Sequence, residues 1–281
     1  MQQRATIAEK LRLKSNELTA AERKLTASLL ANYPVAGLAS ITKFAKSARV
    51  STPSVLRLAK KLGFTGFPAF QAELRKELSA RLQNPIAKRE RWAAEAPDTH
   101  ILNRFATAAL DNLGSSLKLM DHRDFDRIAA LLADRKRNIH LAGGRITGAL
   151  AAYLFTHLSL ARPGVSLLPA ATESWAQRLL DIGKGDVVLI FDIRRYDAGM
   201  LAFAASATER GAKVVLITDQ WISPIARLAM FTLPLRIEAP SSWDSNIVPL
   251  FVAESLIAAV VNLHWPETQA RIKALEKLAR K

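Results

Sequence analysis

Apolar residues recur at helical spacing through the first third of the chain and gather into short unbroken runs through its second half. In LTAAERKLTASLLANYP, residues 18–34, Leu25, Leu29 and Leu30 share one face, Thr19 precedes Glu22 at capping-box spacing, and Pro34 ends the pattern. SITKFAKSARVSTPSVLRLAKKLGF then predicts a short helix over 41–47 and a tight connection over 48–50, followed by a second helix that Ser51 or Thr52 caps and Gly63 ends. In that second helix Val55, Leu58, Ala59 and Leu62 follow i, i+3, i+4, i+7 spacing and should face a core. The remaining face carries Thr52, Pro53, Ser54, Arg57, Lys60 and Lys61, and the pair of helices reads as a helix-turn-helix. Arg49 stands where such turns commonly carry glycine, so a positive φ costing on the order of 1 kcal/mol is expected there.

Beyond Arg137 the apolar runs predict strands over 139–142, 165–168, 187–191, 214–218 and 231–235. Helical stretches over 147–160, 173–182, 198–210 and 224–229 alternate with them, and a long helix over 247–263 follows. The alternation predicts an α/β domain: a five-stranded parallel sheet in a flavodoxin-like three-layer sandwich, behind an all-α N-terminal domain. Residues 84–98 combine proline, charge and small side chains and read as a linker. Helical patterns over 101–137 either connect the domains or build a dimer interface. The expected boundaries are 1–80 for the helix-turn-helix domain, 81–123 for linker and connecting helices, 124–264 for the α/β domain and 265–281 for a basic C-terminal helix or tail.

Charge sharpens this division. The net charge is +15, and residues 1–91 hold 18 Lys and Arg against 6 Asp and Glu, while residues 92–281 hold 22 against 19. A basic head on a near-neutral body is what a polyanion-binding module would look like. The 281 residues contain no cysteine, which excludes a disulfide framework and thiolate metal sites, and the five histidines show no ligand spacing. No cofactor is expected. The opening MQQRATIAEK has no apolar signal core and no run reaches the roughly 18 apolar residues of a membrane helix, so the expected location is cytoplasmic, with no membrane partner.

The basic face of the second helix suits a recognition helix in the major groove of double-stranded DNA. Arg57 can donate twice to guanine O6 and N7, and Ser51, Thr52 and Ser54 can serve bases or phosphates. Lys43, Lys46, Arg49, Lys60 and Lys61 can position phosphates. The alternative for the same face is a solvated side of an ordinary helical hairpin. The run VSTPSVLRLAKKLGFTGF, residues 50–67, within a longer match over 18–78, resembles the DNA-binding domain of the RpiR family of bacterial transcriptional regulators.

Two strand ends stand out in the second half: AGGRIT after the first strand and FDIRRYD after the third. In such sheets ligands sit at the carboxyl ends of the strands. Gly143 and Gly144 permit close backbone approach, Arg145 supplies charge, and Thr147 can cap the next helix while donating to an anion. Arg194 and Arg195 offer two further forks for phosphate or carboxylate, with Tyr196 as a wall, although Arg194 could instead pair with Asp192 or Asp197. The loop APSSWDSN, residues 239–246, brings Ser241, Ser242 and Asp244, which either close over a ligand or, through Asp244 or Ser245, cap the last helix.

The order of elements and the segment ERGAKVVLITDQWISPIARLA, residues 209–229, resemble the SIS, or sugar isomerase, domain. That resemblance implies a phosphosugar held by hydroxyl-rich loops, a Gly-x-Gly-[ST]-Ser-type turn after the first strand and a Ser-x-Ser-Gly-x-Thr-type loop after the third. Here Arg145 and Ile146 replace the second Gly and first hydroxyl, while Asp192, Arg194, Arg195 and Asp197 replace the whole second pattern. An acid at Asp192 would repel phosphate. The combined expectation is a non-enzymatic regulator, of carbohydrate-related metabolism by resemblance to the family, with a DNA operator, a sugar phosphate or sugar acid as effector, and a homodimeric or homotetrameric state. The alternatives are a sugar-phosphate isomerase with a basic appendage, with Asp192 or Glu254 as base, and a body kept only for assembly.

Overall fold

The computed structural model describes residues 5–94, 100–169 and 175–279. Helices α1 (Ile7–Leu13), α2 (Ala20–Leu30), α3 (Ile41–Ser47), α4 (Thr52–Lys61) and α5 (Phe67–Leu82) build the N-terminal unit. Two reciprocal capping boxes, Thr6 with Glu9 and Thr19 with Glu22, start α1 and α2 and satisfy backbone donors that would otherwise be orphaned. Leu25, Leu29, Val55 and Leu58 meet Phe44, Phe67, Phe70 and Leu74 in one core. Phe67 stacks against Phe44 and Phe70, with ring centres 6.3 and 5.8 Å away, which fixes α5 against the helix-turn-helix.

The stretch expected to be a linker is largely helical. Asn84 Oδ1 accepts from the Ala87 amide at 2.8 Å and opens α6 (Pro85–Ala94), which is then held by its buried Lys88. Residues 95–98 of that stretch lie outside the described residues. α7 (Ile101–Leu119) and α8 (His122–Ala133) follow.

Strands β1 (Ile139–Gly143), β2 (Val165–Leu167), β3 (Val187–Asp192), β4 (Lys213–Asp219) and β5 (Phe231–Leu235) form one parallel sheet in the order β2-β1-β3-β4-β5. α9 (Gly148–Ala161), α12 (Ile247–Leu263) and α8 cover one face, while α10 (Trp175–Arg178) and α11 (Ala198–Glu209) cover the other. This is the expected three-layer arrangement. The helices expected over 173–182 and 224–229 are shorter: α10 runs into a single 3₁₀ turn at Leu179–Asp181, residues 173 and 174 lie outside the described residues, and Pro224–Arg227 is one 3₁₀ turn. The chain ends in α13 (Trp265–Ala279). No single helix among the described residues is long and apolar enough to cross a membrane.

The strand order reverses between β1 and β3, which leaves a crevice at their carboxyl ends. The helical head is docked on the sheet domain above it. Arg236 grips Glu9 through Nε and Nη2, both at 2.7 Å, and Ile222 from the turn after β4 packs into the head's own core.

Candidate functional site

In the head, Arg49 closes the α3–α4 turn at φ 54°, the left-handed conformation expected from its position. Lys43, Lys46, Arg49, Ser51, Arg57 and Lys60 are exposed along this surface, with Thr52 half-buried beside them. Two residues of the expected set are engaged inside the protein. Ser54 is 4% exposed; its hydroxyl accepts from Arg57 Nη2 at 2.9 Å and meets Ser51 Oγ at 3.1 Å, so it orients Arg57. Ser51 occupies the N-cap position of α4 without a side-chain cap bond, its hydroxyl being turned to Ser54. Lys61 pairs with Glu22 at 2.7 Å and donates to the Glu17 carbonyl at 2.9 Å, tying α4 to the start of α2.

At the carboxyl ends of β1 and β3 lies a cavity of about 460 Å³. Of the expected ligand residues, Gly144, Arg145, Thr147, Asp192, Arg194, Arg195, Ser242 and Asp244 line it, whereas Gly143, Tyr196 and Ser241 do not. Gly143 is needed for packing: a Cβ there would stand 2.5 Å from the Thr147 carbonyl oxygen, so only glycine lets α9 close on β1. The Thr147 hydroxyl accepts from the Gly144 amide and donates to the Phe191 carbonyl, both at 2.8 Å, and makes no cap bond to α9. It fastens the β1 loop to β3 and has no donor left for an anion. Ser241 Oγ instead accepts from the Trp243 amide at 3.1 Å within its own loop.

The charged knot after β3 is organised by a residue that the strand-end patterns did not single out. Asp219, at the end of β4 and fully buried, accepts from the Arg194 amide at 2.6 Å, the Tyr196 hydroxyl at 2.6 Å and the Trp221 amide at 2.9 Å. These bonds hold Arg194 and Arg195 at φ 38° and 50° and turn Tyr196 away from the cavity, toward the Arg81 guanidinium, 4.8 Å from its ring. Burial pushes the Asp219 carboxyl upward, and burial together with Asp219 pushes the Tyr196 phenol well above its ordinary range.

Arg194 pairs with neither Asp192 nor Asp197. Its Nε meets Asp244 at 2.7 Å, Nη2 lies 3.8 Å from Glu238, Nη1 donates to the Ala80 carbonyl at 2.7 Å, and the guanidinium stacks 4.3 Å over Trp221. Asp244 is held from the other side by Lys88 at 2.7 Å, which also donates to the Trp243 carbonyl at 3.0 Å. Asp244 therefore does not cap α12; Ser245 Oγ accepts from the Ile247 amide at 3.3 Å instead. Asp192 is buried, accepts from the Ser223 hydroxyl, and is pushed up to about 7 by that burial. Asp197 caps α11, its Oδ1 accepting from the Gly199 and Met200 amides at 2.7 and 3.2 Å. A carboxylate of the protein thus already fills the helix N-terminus where the serine-rich loop of the resemblance would place a phosphate. Arg145 and Arg195 are exposed and make no ion pair among the described residues.

The chain matches two family models: the helix-turn-helix domain of the rpiR family over residues 5–81 and the SIS domain over residues 131–259. Its head is an rpiR-family helix-turn-helix domain and its body an SIS domain. Similar proteins include the HTH-type transcriptional regulator HexR of Pseudomonas aeruginosa, 28% identical over 96% of this chain and 94% of its own. The bifunctional protein glk of Burkholderia orbicola is 27% identical over 96% of this chain, which spans only 43% of that longer protein. Among solved structures, the NanR protein of Vibrio vulnificus, complexed with ManNAc-6P, shares the fold at a TM-score of 0.55 and 19% identity, over 96% of this chain and 97% of its own.

Of the cavity residues that the sequence did not single out, three lie outside the SIS match and five within it. Gln83, Pro85 and Lys88 reach the cavity from the segment read as a linker, and Ile146, Ile193, Met200, Trp243 and Asn246 complete its wall. Lys88 carried one available signal, a lysine one turn past the capping pair Asn84 and Ala87, but its burial depends on Asp244, 156 residues away.

Proposed function

We propose that this chain is a DNA-binding transcriptional regulator that senses a phosphosugar or related anionic sugar metabolite in the cavity between β1 and β3. The observation that carries the reading is the direct bond from the cavity wall to the head: Arg194 lines the cavity and donates to Ala80 in the last turn of α5. α5 in turn shares a core with α4, through Phe67, Phe70 and Leu74 against Val55 and Leu58. A ligand that draws Arg194 or Asp244 toward itself changes how α5, and with it α4, is held.

In this reading Arg57 reads a base, with Ser54 orienting it; Lys43, Lys46, Arg49, Ser51, Thr52 and Lys60 meet the backbone or flanking bases. Arg145, Arg195, Ser242 and Asn246 hold the effector, and Asp192 offers it a hydrogen-bonding carboxyl. Residues 1–80 act as the head and 124–264 as the sensor, with α6 belonging to the sensor wall. The chain works in the cytoplasm, where its operator is, and pairs with a second copy; the exposed Leu102 and Leu110 on α7 support that pairing. No catalytic role is assigned. Glu254 accepts from the Tyr153 hydroxyl at 2.9 Å outside the cavity, and the Asp192 carboxyl, which does line it, is engaged by the Ser223 hydroxyl.

Gel-shift titration against DNA upstream of the chain's own gene, with and without a panel of sugar phosphates and sugar acids, tests the reading. Selective binding that one of these compounds alters is the expected result. Binding no tighter than to random duplex, unchanged by Arg57→Ala, would end it.

A further inference from the structure

Successive residues of α4 stand about 100° apart around its axis. Ser54, Val55, Leu58 and Ala59 therefore fill one half of the helix, and all are buried. Pro53, Leu56, Arg57 and Lys60 fill the other half, and all are exposed. Leu56 and Arg57 flank the line through Pro53 and Lys60 at similar angles, so the two side chains project from opposite sides of the exposed face. Leu56 is 40% exposed. A solitary exposed leucine is ordinary on a protein surface. This one lies on the face that a helix-turn-helix turns toward its duplex, among cations and hydroxyls.

Ser54 draws the Arg57 guanidinium back by one turn, on the side away from Leu56, and leaves the leucine uncovered. In the major groove the base pairs present donors and acceptors, and the one apolar group among them is the thymine C5-methyl. We infer that Leu56 is a specificity-determining residue that packs on a thymine methyl next to the base read by Arg57. The inference rests on the regulator reading above. Each half-site then carries a thymine beside the guanine that Arg57 recognises.

The test begins with duplexes enriched from a random pool by the full-length protein. Each thymine of the enriched half-site is then replaced by uracil, which removes the methyl and leaves every hydrogen-bonding edge in place. One thymine per half-site is expected to weaken binding about fourfold when replaced, the effect of burying one methyl-sized group. In Leu56→Ala, which keeps a strong helix former at an exposed position, that penalty disappears. In Arg57→Ala the penalty persists while the preference at the neighbouring guanine is lost. Equal uracil penalties in wild type and Leu56→Ala at every position overturn the role of Leu56 and leave the regulator reading standing. Enrichment of no sequence by the wild type overturns both.

Discussion

Arg194 Nη1 and the carbonyl oxygen of Ala80, 2.7 Å apart, join the wall of the cavity at the ends of β1 and β3 to the last turn of α5. The same guanidinium holds Asp244, which Lys88 of α6 holds from the other side. One side chain thus gathers the head, the segment after it and the loop before α12 around the cavity.

Arg194→Ala removes the hydrogen bond to α5 and leaves Asp244 with half of its cationic partnership. Loss of a largely buried ion pair of this kind costs about 3 kcal/mol, to be read from urea unfolding. The sharper expectation concerns coupling: the variant still binds DNA, and the effector no longer changes its affinity. An effector response of unchanged size in the variant would show that the signal takes another route.

Lys60 and Lys61 are neighbours with opposite assignments. Lys60 is exposed on α4, on the side proposed to face DNA, whereas Lys61 pairs with Glu22 at 2.7 Å. Lys60→Ala should lower the slope of log affinity against log salt by about 0.9, one phosphate contact, with stability unchanged. Lys61→Ala should leave the slope alone and cost about 1 kcal/mol of unfolding free energy, because Glu22 loses its charged partner. Salt titrations and urea melts of the two variants separate these effects, and a reversed pattern would reverse the assignments.

The contrast shows what the sequence carried. The helix-turn-helix, the five strands and the strand ends that line the cavity were legible because they depend on local periodicity and on the rule that α/β crevices open at carboxyl ends. Gly143 to Thr147 and Asp192 to Asp197 were found for that reason. Their partners were not. Asp219 acts on Arg194 and Tyr196 from the neighbouring strand, and Asp244 meets Lys88 across 156 positions; nothing in local spacing distinguishes such an acid from a solvated one. α6 was misread because its proline sits at a helix start, where it is tolerated, and its charged residues imitate a linker.

Asp192 and Glu77 link stability to pH in the same direction. Burial pushes both carboxyls up to about 7, from ordinary values of 3.8 and 4.5. The folded state therefore holds more protons than the unfolded chain between about pH 4 and pH 7, so stability falls as pH rises through that window. Their contribution is fully present below the unfolded values and lost above the folded ones. Asp192→Asn, which keeps an acceptor for Ser223, should flatten part of this slope and stabilise the protein at pH 8 relative to wild type. Urea midpoints from pH 5 to pH 8 check the sign, and a wild-type stability that climbs with pH while the variant does not would contradict it.

The anion site of the cavity follows from which charges are already engaged. Arg194 and Lys88 both hold Asp244, and Asp197 closes the amides that start α11, which leaves Arg145 and Arg195 to meet a phosphate or carboxylate. A sugar phosphate at about 100 times its dissociation constant should stabilise the protein by about 2.7 kcal/mol, a shift of several degrees in melting temperature. Arg145→Gln and Arg195→Gln should each remove most of that shift while leaving the ligand-free melting temperature within a degree or so, since neither makes an ion pair among the described residues. Asp197→Ser should act in the opposite direction. It keeps a capping oxygen for the Gly199 and Met200 amides but withdraws a negative charge from the place where phosphate would approach, so the shift at equal ligand concentration should grow. A shift that survives both arginine replacements and shrinks in Asp197→Ser would place the anion elsewhere in the cavity.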